Sequence, residues 1–330
     1  MSRIAVLGAG AWGTAIAISL VRRGGHEVSL WAHSPAHADE MRVTRDNLRY
    51  LAGFVLATEL ALPLSLEEAV ADAEIVISVT PSEHLRTTVT QIAPLLTAKK
   101  ILVSASKGIE DHSHLRMSQV MQSITQTPVA TLGGPSFARE VAAGMPTAAV
   151  IASPDLALAQ HLQMEFSSES FRLYSNADIV GVELGGALKN VIALAAGVAT
   201  GLNLGSNTAA ALMTRGMAEV TRLAIACGAE QKTLAGLAGM GDLVLTCTGS
   251  LSRNRTVGVE LGKGRKLAEI IESLNGKVAE GVRCTSAALG LAAERGVEMP
   301  ITEQMNQVLH HGKAPSDAIR TLMTRPGRDE

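Results

Sequence analysis

A single lysine stands in the middle of an apolar run, where few lysines are found. Residues 183–197 read ELGGALKNVIALAAG, and helical spacing surrounds Lys189 with small or apolar residues. An amphipathic helix places lysine on its polar face, and this run has almost none. Either the side chain reaches water along its apolar stem, or it is kept inside for chemistry. On this run alone we favour the interpretation that the side chain reaches water, because most lysines on helices are solvated.

Further candidate residues follow two predicted strands. Lys107 comes directly after the run ILVSAS, and Gly134 and Ser136 follow the run at 129–132. Doubly wound folds bind ligands at the carboxyl ends of their parallel strands. The sequence therefore predicts a binding site at this edge of a sheet.

Another group of polar residues lies much further along the chain. Asp242 follows a glycine-rich turn, and Ser252, Arg253 and Asn254 stand side by side. Arginine, serine and asparagine together offer hydrogen-bond donors that a phosphate or carboxylate would use fully. By itself, the same stretch is explained equally well by a solvated loop.

The N-terminal residues carry the pattern GxGxxG, as Gly8, Gly10 and Gly13. The pattern directly follows a strand, opens a helix and lies within a βαβ unit of roughly 30 residues. Glycines permit a tight turn, and the free N–H groups of the helix N-terminus attract a pyrophosphate. We therefore predict a dinucleotide site; the alternative is a glycine turn that serves only packing.

The end of the second strand bears on which dinucleotide binds. NAD-selective sites place an acid there, on the ribose 2′-hydroxyl. Residues 31–35 read WAHSP and contain no acid, while His33 and Ser34 could accept a 2′-phosphate. The pattern favours NADPH, or the use of both cofactors, although His33 is also explained as a surface residue.

The chain shows two successive patterns. Short apolar strands alternate with helix-like segments up to residue 177, which predicts a parallel sheet covered by helices on both faces. We therefore predict an α/β, doubly wound Rossmann domain over 1–177 and an all-helical substrate domain over 178–330. Lys189 then lies near the domain junction, where small-molecule sites concentrate. Strands are expected at 4–7, 27–31, 73–79, 100–104, 129–132 and 147–151, and later helices at 178–200, 207–227, 267–275, 284–295 and 301–311.

The composition excludes several classes of protein. The 330 residues are 47% hydrophobic and 18% charged, as in globular chains, and a net charge of −2 attracts neither nucleic acid nor an acidic membrane. The histidine spacing predicts no metal site. Three scattered cysteines fit a reducing cytoplasm, and the apolar N-terminus is better explained by strand, turn and helix than by an export signal. We expect no membrane insertion, since no apolar run reaches the ~20 residues that span a bilayer.

Taken together, these stretches resemble one family, the bacterial-type NAD(P)-dependent glycerol-3-phosphate dehydrogenases. The matching segments occur in the family's order from residue 4 to about residue 313. They are GAGAWGTAIA near the N-terminus, VTPS at 79–82, SKG at 106–108, GPSFARE at 134–140, ELGGALKNVIA at 183–193, NTAAALMTRG at 207–216, GMGDLVLTC at 239–247, SRN at 252–254 and VAEG at 278–281.

The resemblance implies a reaction and a set of roles. Dihydroxyacetone phosphate would be reduced by NADPH or NADH to sn-glycerol 3-phosphate, the backbone precursor of phospholipids, and we expect a homodimer. Lys189 matches the catalytic lysine of the family. The substrate positions are Lys107, Gly134, Ser136, Asp242, Ser252, Arg253 and Asn254. The cofactor positions are Gly8, Gly10, Ala11, Trp12, Gly13, His33, Lys107, Ala138, Arg253, Val278 and Glu280.

The chemistry of the reaction agrees with a lysine kept inside the protein. Hydride arriving at a ketone carbon leaves a developing alkoxide, which a nearby cation stabilises and can protonate. A carboxylate would hold the ammonium in place, and we assign that catalytic role to Asp242. Arg253 and Asn254 would supply the donors for the phosphate.

The sequence departs from the family pattern at three positions and leaves two other functions open. Ala11 stands where serine is common, Ala52 where proline is common, and His33 where arginine is also found. The rival enzyme is a two-domain β-hydroxyacid dehydrogenase, and the rival of another class is a dinucleotide-binding regulator without catalysis. The SRN and GPSFA segments argue against the β-hydroxyacid dehydrogenase. Lys189 with Asp242 argues against the regulator without catalysis.

Overall fold

The computed structural model describes residues 1–274 and 279–326 of the chain. These residues belong to two compact units. The first unit comprises Met1–Lys107 and Leu115–Val182, and the second comprises Gly108–His114 and Glu183–Glu330. The predicted domain boundary between 177 and 178 stays a prediction. The sequence did not indicate that the short segment 108–114 groups with the second unit.

The first unit is an α/β unit, and its sheet confirms the predicted fold class. The described strands are β1 (Ser2–Leu7), β2 (His26–Trp31), β3 (Asp46–Asn47), β4 (Leu51–Val55), β5 (Ile75–Ser78), β6 (Ile101–Ser104), β7 (Val129–Gly133), β8 (Thr147–Ala152) and β9 (Phe171–Asn176). Seven of them form one sheet in the order β2-β1-β5-β6-β7-β8-β9, and β3 pairs with β4. The helices of this unit are α1 (Ala11–Arg23), α2 (Pro35–Thr44), α3 (Leu66–Ala71), α4 (Ser82–Ile92), α5 (Met117–Gln122), α6 (Ala138–Ala142) and α7 (Leu156–Phe166).

One pairing in the sheet corrects the prediction of an entirely parallel sheet. β8 runs antiparallel to β7, with Leu132 opposite Ile151. Antiparallel neighbours need no crossover connection, and only the five-residue helix α6 lies between these two strands. β9, which the sequence analysis missed, restores parallel pairing with β8 after the longer helix α7.

Both faces of the sheet are covered by apolar side chains. Ile4 and Val6 of β1 belong to one buried cluster, while Ala5 and Leu7 belong to another. Successive side chains of a strand point to opposite faces, so a strand buried on both sides reads as a continuous apolar run. This explains why the run at 4–7 predicts a central strand.

Helices, and no strands, make up the described part of the second unit. The first of them, α8, begins in the last residues of the first unit. The helices are α8 (Ile179–Gly201), α9 (Ser206–Ala226), α10 (Gln231–Ala235), α11 (Asp242–Thr248), α12 (Arg253–Gly262), α13 (Leu267–Ser273), α14 (Glu280–Glu294), α15 (Pro300–His310) and α16 (Pro315–Met323), with a π-helical turn at Leu237–Gly241.

The length and composition of α8 would allow it to cross a membrane, which corrects the expectation that no run would qualify. Glu183 and Lys189 interrupt the apolar run, so its length is not evident from the sequence. Of its most apolar window, 94% is buried inside the protein, as in the core helix of a globular protein.

Glycines let α8 and α12 cross with their backbones in contact. A Cβ at Gly197 would lie 2.2 Å from the carbonyl oxygen of Arg255, and a Cβ at Gly258 would lie 2.0 Å from that of Leu194. Residues on the same helix face recur every four positions, and Gly201 and Gly262 make equally close approaches one turn further along. The small residues of α8 therefore serve a close helix crossing.

A buried carboxylate caps α15 from another helix. The Oε2 of Glu219 accepts from the backbone N–H of Ile301 at 2.8 Å, and its Oε1 accepts from the N–H and hydroxyl of Thr302 at 2.9 and 2.6 Å. Glu219 is 1% exposed. Burial raises the pKa of this carboxyl, and the three hydrogen bonds oppose that rise without cancelling it.

The helix crossing can be tested with one methyl group. Gly258→Ala should destabilise the protein by about 1–3 kcal/mol, because the added Cβ must push the two backbones apart. Gly205→Ser is the control, since a Cβ there meets nothing within 4 Å and serine is a favoured N-cap. Chemical denaturation measures both variants. Equal stability of G258A and wild type would contradict the crossing.

The Glu219 cap predicts a stability difference that depends on pH. The folded state holds the proton of Glu219 more tightly than the unfolded state, so its contribution is largest in acid and falls as pH rises through the folded pKa. Glu219→Gln does not titrate. The free energy of unfolding of the wild type relative to E219Q should therefore decrease with pH across the carboxyl range. An increase would show that the pKa is lowered instead.

Candidate active site

The turn between β1 and α1 requires glycine at two of its three glycine positions. Gly8 has a φ of +115°, which residues with a Cβ rarely adopt. A Cβ at Gly13 would lie 1.9 Å from the carbonyl oxygen of Gly8. A Cβ at Gly10, by contrast, would meet no atom within 4 Å. The turn is therefore open on the side of Gly10, where a ligand can approach the backbone.

The N-terminus of α1 fits an anionic ligand. Gly10 is its N-cap, no side chain caps it, and its first turn contains no acid. Free N–H groups at such a terminus attract phosphate oxygens. The Nε1 of Trp12, the second residue of the helix, is buried and has no hydrogen-bond partner in the described part of the chain. Ala11 begins the helix and has no polar side chain to add.

An open cleft of about 380 Å³ lies beside the end of β2. Trp31, His33, Ser65 and Glu67 are among the residues that line it. His33 is exposed, and its ring packs edge-on against Trp31 with 5.9 Å between the centroids. The strand itself ends without an acid, but α3 brings the carboxylate of Glu67 to the same cleft. Sequence reasoning missed Glu67, because no local pattern links it to the dinucleotide turn.

Two predicted substrate residues meet at one carbonyl oxygen in the first unit. The Nζ of Lys107 and the hydroxyl of Ser136 both donate to the carbonyl oxygen of Gly134, at 3.4 and 3.0 Å. Gly134 follows β7 directly and has a φ of +107°. Ala138, predicted to contact the cofactor, is the first residue of α6. The structure thus brings Lys107, Gly134 and Ser136 together.

Lys189 is buried beside a carboxylate and a hydroxyl. Its Nζ donates to Oδ1 of Asp242 and, at 2.9 Å, to Oγ1 of Thr246. Lys189 is 6% exposed and Asp242 1%. The side chain of Lys189 therefore does not extend to water but ends at an ion pair inside the second unit.

Thr246 is a site residue that sequence reasoning did not single out. It lies four residues after Asp242 on α11 and also donates to the backbone carbonyl oxygen of Asp242 at 2.6 Å. The spacing of four was the available signal, since it places both side chains on one face of a helix. Gly185 lets α8 approach this region, because a Cβ there would lie 2.6 Å from the carbonyl oxygen of Ala238.

The next residue on α8 begins a second chain of hydrogen bonds. Asn190 is 3% exposed; its Nδ2 donates to Glu280 at 3.3 Å, and its Oδ1 accepts from Nδ2 of Asn254 at 3.0 Å. The Oδ1 of Asn254 accepts from the N–H of Gly281. This network joins α8, α12 and the start of α14. Asn190 was missed, although its place beside the lysine was a signal.

The start of α12 carries an arginine with a free guanidinium. Ser252 is the N-cap, and its hydroxyl oxygen accepts from the N–H of Arg255 at 3.2 Å. Arg253 follows as the first helical residue, exposed and without a hydrogen bond or ion pair in the described ranges. A helix N-terminus beside a guanidinium suits a phosphate or carboxylate. Val278, the remaining predicted cofactor residue, lies outside the described residues.

The buried cysteines are poor nucleophiles, and the described residues contain no cluster that could bind a metal ion. Burial raises the pKa of the Cys247 thiol to about 12, although Lys189 and Arg255 lower it in part. Burial also raises the pKa of Cys284 to about 12, so both thiols stay protonated. Residues 1–274 and 279–326 contain no group of three or more His, Cys, Asp or Glu side chains that could hold a metal ion.

Comparisons with known proteins agree on one family. Residues 3–159 match the N-terminal part of NAD-dependent glycerol-3-phosphate dehydrogenase, and residues 178–320 match its C-terminal part. A relative from Acidobacterium capsulatum, named glycerol-3-phosphate dehydrogenase with NAD(P)+ as cofactor, is 58% identical over 100% of both chains. One of the same name from Koribacter versatilis is 57% identical over 100% of this chain and 99% of its own.

The solved structures point the same way. The crystal structure of glycerol-3-phosphate dehydrogenase from Coxiella burnetii is 40% identical to this chain, with a TM-score of 0.94. It covers 98% of this chain and 99% of its own. The dinucleotide turn and the buried lysine thus belong to a chain that matches one enzyme family from end to end, and this protein is a member of the NAD-dependent glycerol-3-phosphate dehydrogenase family.

Proposed function

We propose that this protein catalyses the reversible reduction of dihydroxyacetone phosphate to sn-glycerol 3-phosphate with NADPH or NADH. The buried pair of Lys189 and Asp242 is the observation that carries the proposal. Buried ion pairs are costly to desolvate and are weak evidence for stability, so a chemical role is the better explanation. Relatives 58% and 57% identical carry the corresponding enzyme name.

The residues of the dinucleotide turn fit a nicotinamide cofactor. Gly8, Gly10 and Gly13 shape the turn, the α1 N-terminus binds the pyrophosphate, and Trp12 offers its unpaired Nε1. When bound, the cofactor supplies a hydride to the substrate carbonyl carbon. His33 binds near the ribose. Lys107, Ala138, Arg253, Val278 and Glu280, with the backbone of Ala11, are proposed as further cofactor contacts on the family resemblance.

Lys189 is the proposed proton donor. As the carbonyl carbon is reduced, negative charge develops on its oxygen, and the ammonium of Lys189 stabilises that charge and delivers a proton to it. Asp242 holds the ammonium in place, and Thr246 restricts it from a second direction. Their burial excludes water, which strengthens the electrostatic interaction with the developing alkoxide.

The phosphate of the substrate requires a separate set of donors. We propose Arg253 with Ser252 and Asn254 for this role, because the guanidinium is free and stands at a helix N-terminus. Both polar atoms of the Asn254 amide already contact Asn190 and Gly281, so its orientation is set before substrate binds. Lys107, Gly134 and Ser136 are proposed to contact the rest of the substrate.

We also propose that the enzyme is a cytoplasmic homodimer. Cys227, Cys247 and Cys284 form no disulfide bond with one another, which suits a reducing compartment. Met240, Val244 and Leu251 leave apolar surface exposed on the second unit, which would suit a partner subunit. Light scattering on the purified protein measures the oligomeric state.

A spectrophotometric assay tests the reaction and the cofactor. Absorbance at 340 nm should fall when dihydroxyacetone phosphate is added with either NADPH or NADH. We expect kcat/KM to be higher for NADPH, since the end of β2 carries His33 and no acid. His33→Ala should bring the two values closer together. Folded protein that binds NADPH yet oxidises it only with β-keto acids would replace the proposed substrate with that of the rival enzyme.

Substitutions around Lys189 test its role as proton donor. Lys189→Ala should lower kcat by roughly 10²–10⁴-fold, as loss of a general acid does. Thr246→Val removes the hydrogen bond from Lys189 together with the one to the carbonyl oxygen of Asp242, and it should lower kcat about fivefold. Lys232→Ala is the matched control, because that lysine is exposed and pairs with Glu230 on the surface. Wild-type kcat in K189A, measured with both substrates saturating, would disprove the assignment.

A further inference from the structure

We infer that Asn47 is a positioning residue of the dinucleotide site, which orients the Gly10 N–H by holding the carbonyl of Ala9. This inference rests on the proposed use of NADPH or NADH. Asn47 lies in β3, outside the GxGxxG pattern, and it is 0% exposed. A fully buried amide must find its hydrogen-bond partners inside the protein.

All the hydrogen-bonding capacity of the Asn47 amide is used. Its Nδ2 donates to the carbonyl oxygen of Ala9 at 2.9 Å and to Oγ1 of Thr14 at 2.8 Å. Its Oδ1 accepts from the N–H of Tyr50 at 3.2 Å and lies 2.9 Å from Nε2 of His37. Two donors and two acceptor positions are what a primary amide offers. The reverse orientation would set oxygen against the carbonyl of Ala9, so the arrangement is unique.

The contact with Ala9 determines where the next N–H points. Ala9 lies between Gly8 and Gly10 in the turn that joins β1 to α1. The peptide between Ala9 and Gly10 is planar and trans, so its N–H points away from its carbonyl oxygen. Because Asn47 holds that oxygen, the N–H of Gly10 is directed away from Asn47. The side of Gly10 is open, as expected where a pyrophosphate binds.

The glycines of the turn make a restraint such as the hydrogen bond from Asn47 to Ala9 necessary. A turn with two glycines in three residues has many conformations available, and they differ in where its N–H groups point. The turn is tied on one side by the N–H of Gly8, which donates to the carbonyl oxygen of Trp31 at 3.0 Å. Asn47 supplies the side-chain tie. Cofactor binding then does not have to order the turn.

The same amide also contacts the helix that follows the cleft at His33. His37 belongs to α2, is buried, and packs edge-on against Tyr50 with 5.2 Å between ring centroids. Since Oδ1 of Asn47 accepts, Nε2 of His37 must carry the hydrogen. Asn47 thus connects the pyrophosphate turn with the element next to the proposed ribose site.

Asn47→Asp and Thr14→Val form a matched pair for the test. N47D keeps the size and the acceptor oxygen of the side chain but replaces the NH2 group with a second oxygen, which faces the carbonyl of Ala9. T14V removes the other partner of Nδ2 and leaves the contact with Ala9 in place. Both variants leave a buried polar group unpaired, so both should lower Tm.

The readout is the Kd for NADPH by fluorescence titration, with KM and kcat for both substrates. We expect N47D to raise Kd and KM for NADPH at least tenfold, with kcat and KM for dihydroxyacetone phosphate within twofold of wild type. T14V should keep Kd within twofold of wild type. An unchanged Kd in N47D overturns the inference, and so does an equal loss of affinity in T14V, because the effect would then be general destabilisation.

Two further outcomes have a defined meaning. If N47D does not fold, Asn47→Ser replaces it, because the shorter serine side chain does not reach Ala9. A Kd for NADPH raised at least tenfold in N47S then supports the inference, and an unchanged Kd overturns it. Wild-type protein that binds neither NADPH nor NADH would overturn the proposed function and this inference together. Wild type that binds, beside an N47D that binds equally well, would overturn the inference alone.

Discussion

The charged pair of Lys189 and Asp242, buried inside the second unit, is the constraint on which the structure of that unit depends. An ammonium and a carboxylate lose their hydration when they are buried, and they need each other and further partners to offset that loss. Thr246 supplies such a partner from the same helix as Asp242. Gly185 allows α8 to approach the backbone at Ala238 closely. Helix packing and chemistry in this unit therefore share one requirement, a short distance between α8 and α11.

Close contact between helix backbones continues along α8. Its glycines at 197 and 201 meet those of α12 at 258 and 262, so helices pack where side chains would ordinarily separate them. α12 begins at Arg253, and its position relative to α8 lets Asn254 reach Asn190. The glycines and alanines that make α8 resemble a membrane-spanning segment thus allow α8 and α12 to pack closely. This packing holds Lys189, the pair Asn190 and Asn254, and the start of α12 in one unit.

The first unit has a different requirement, because its backbone atoms must bind a large anion. The turn from β1 to α1 must contain glycine, because Gly8 has a positive φ and Gly13 has no room for a Cβ. Glycine brings conformational freedom that binding would have to remove. Asn47 and the hydrogen bond from Gly8 to Trp31 restrict that freedom in advance. Rigidity therefore comes from residues outside the turn.

Local sequence determined the elements whose signals are local: the central strands from apolar runs, the glycine turn from its spacing, and α8, α9, α13, α14 and α15 from long helix-like runs. It did not predict the shorter helices α10, α11, α12 and α16. It also singled out Lys189, because a charge in an apolar run is visible without a structure. Tertiary structure alone decided that β8 pairs antiparallel with β7, that Glu67 reaches the cleft at His33, and that Asn47 contacts Ala9 38 residues away. Such contacts join residues distant in the chain, and their energy depends on burial and partners that no short segment contains.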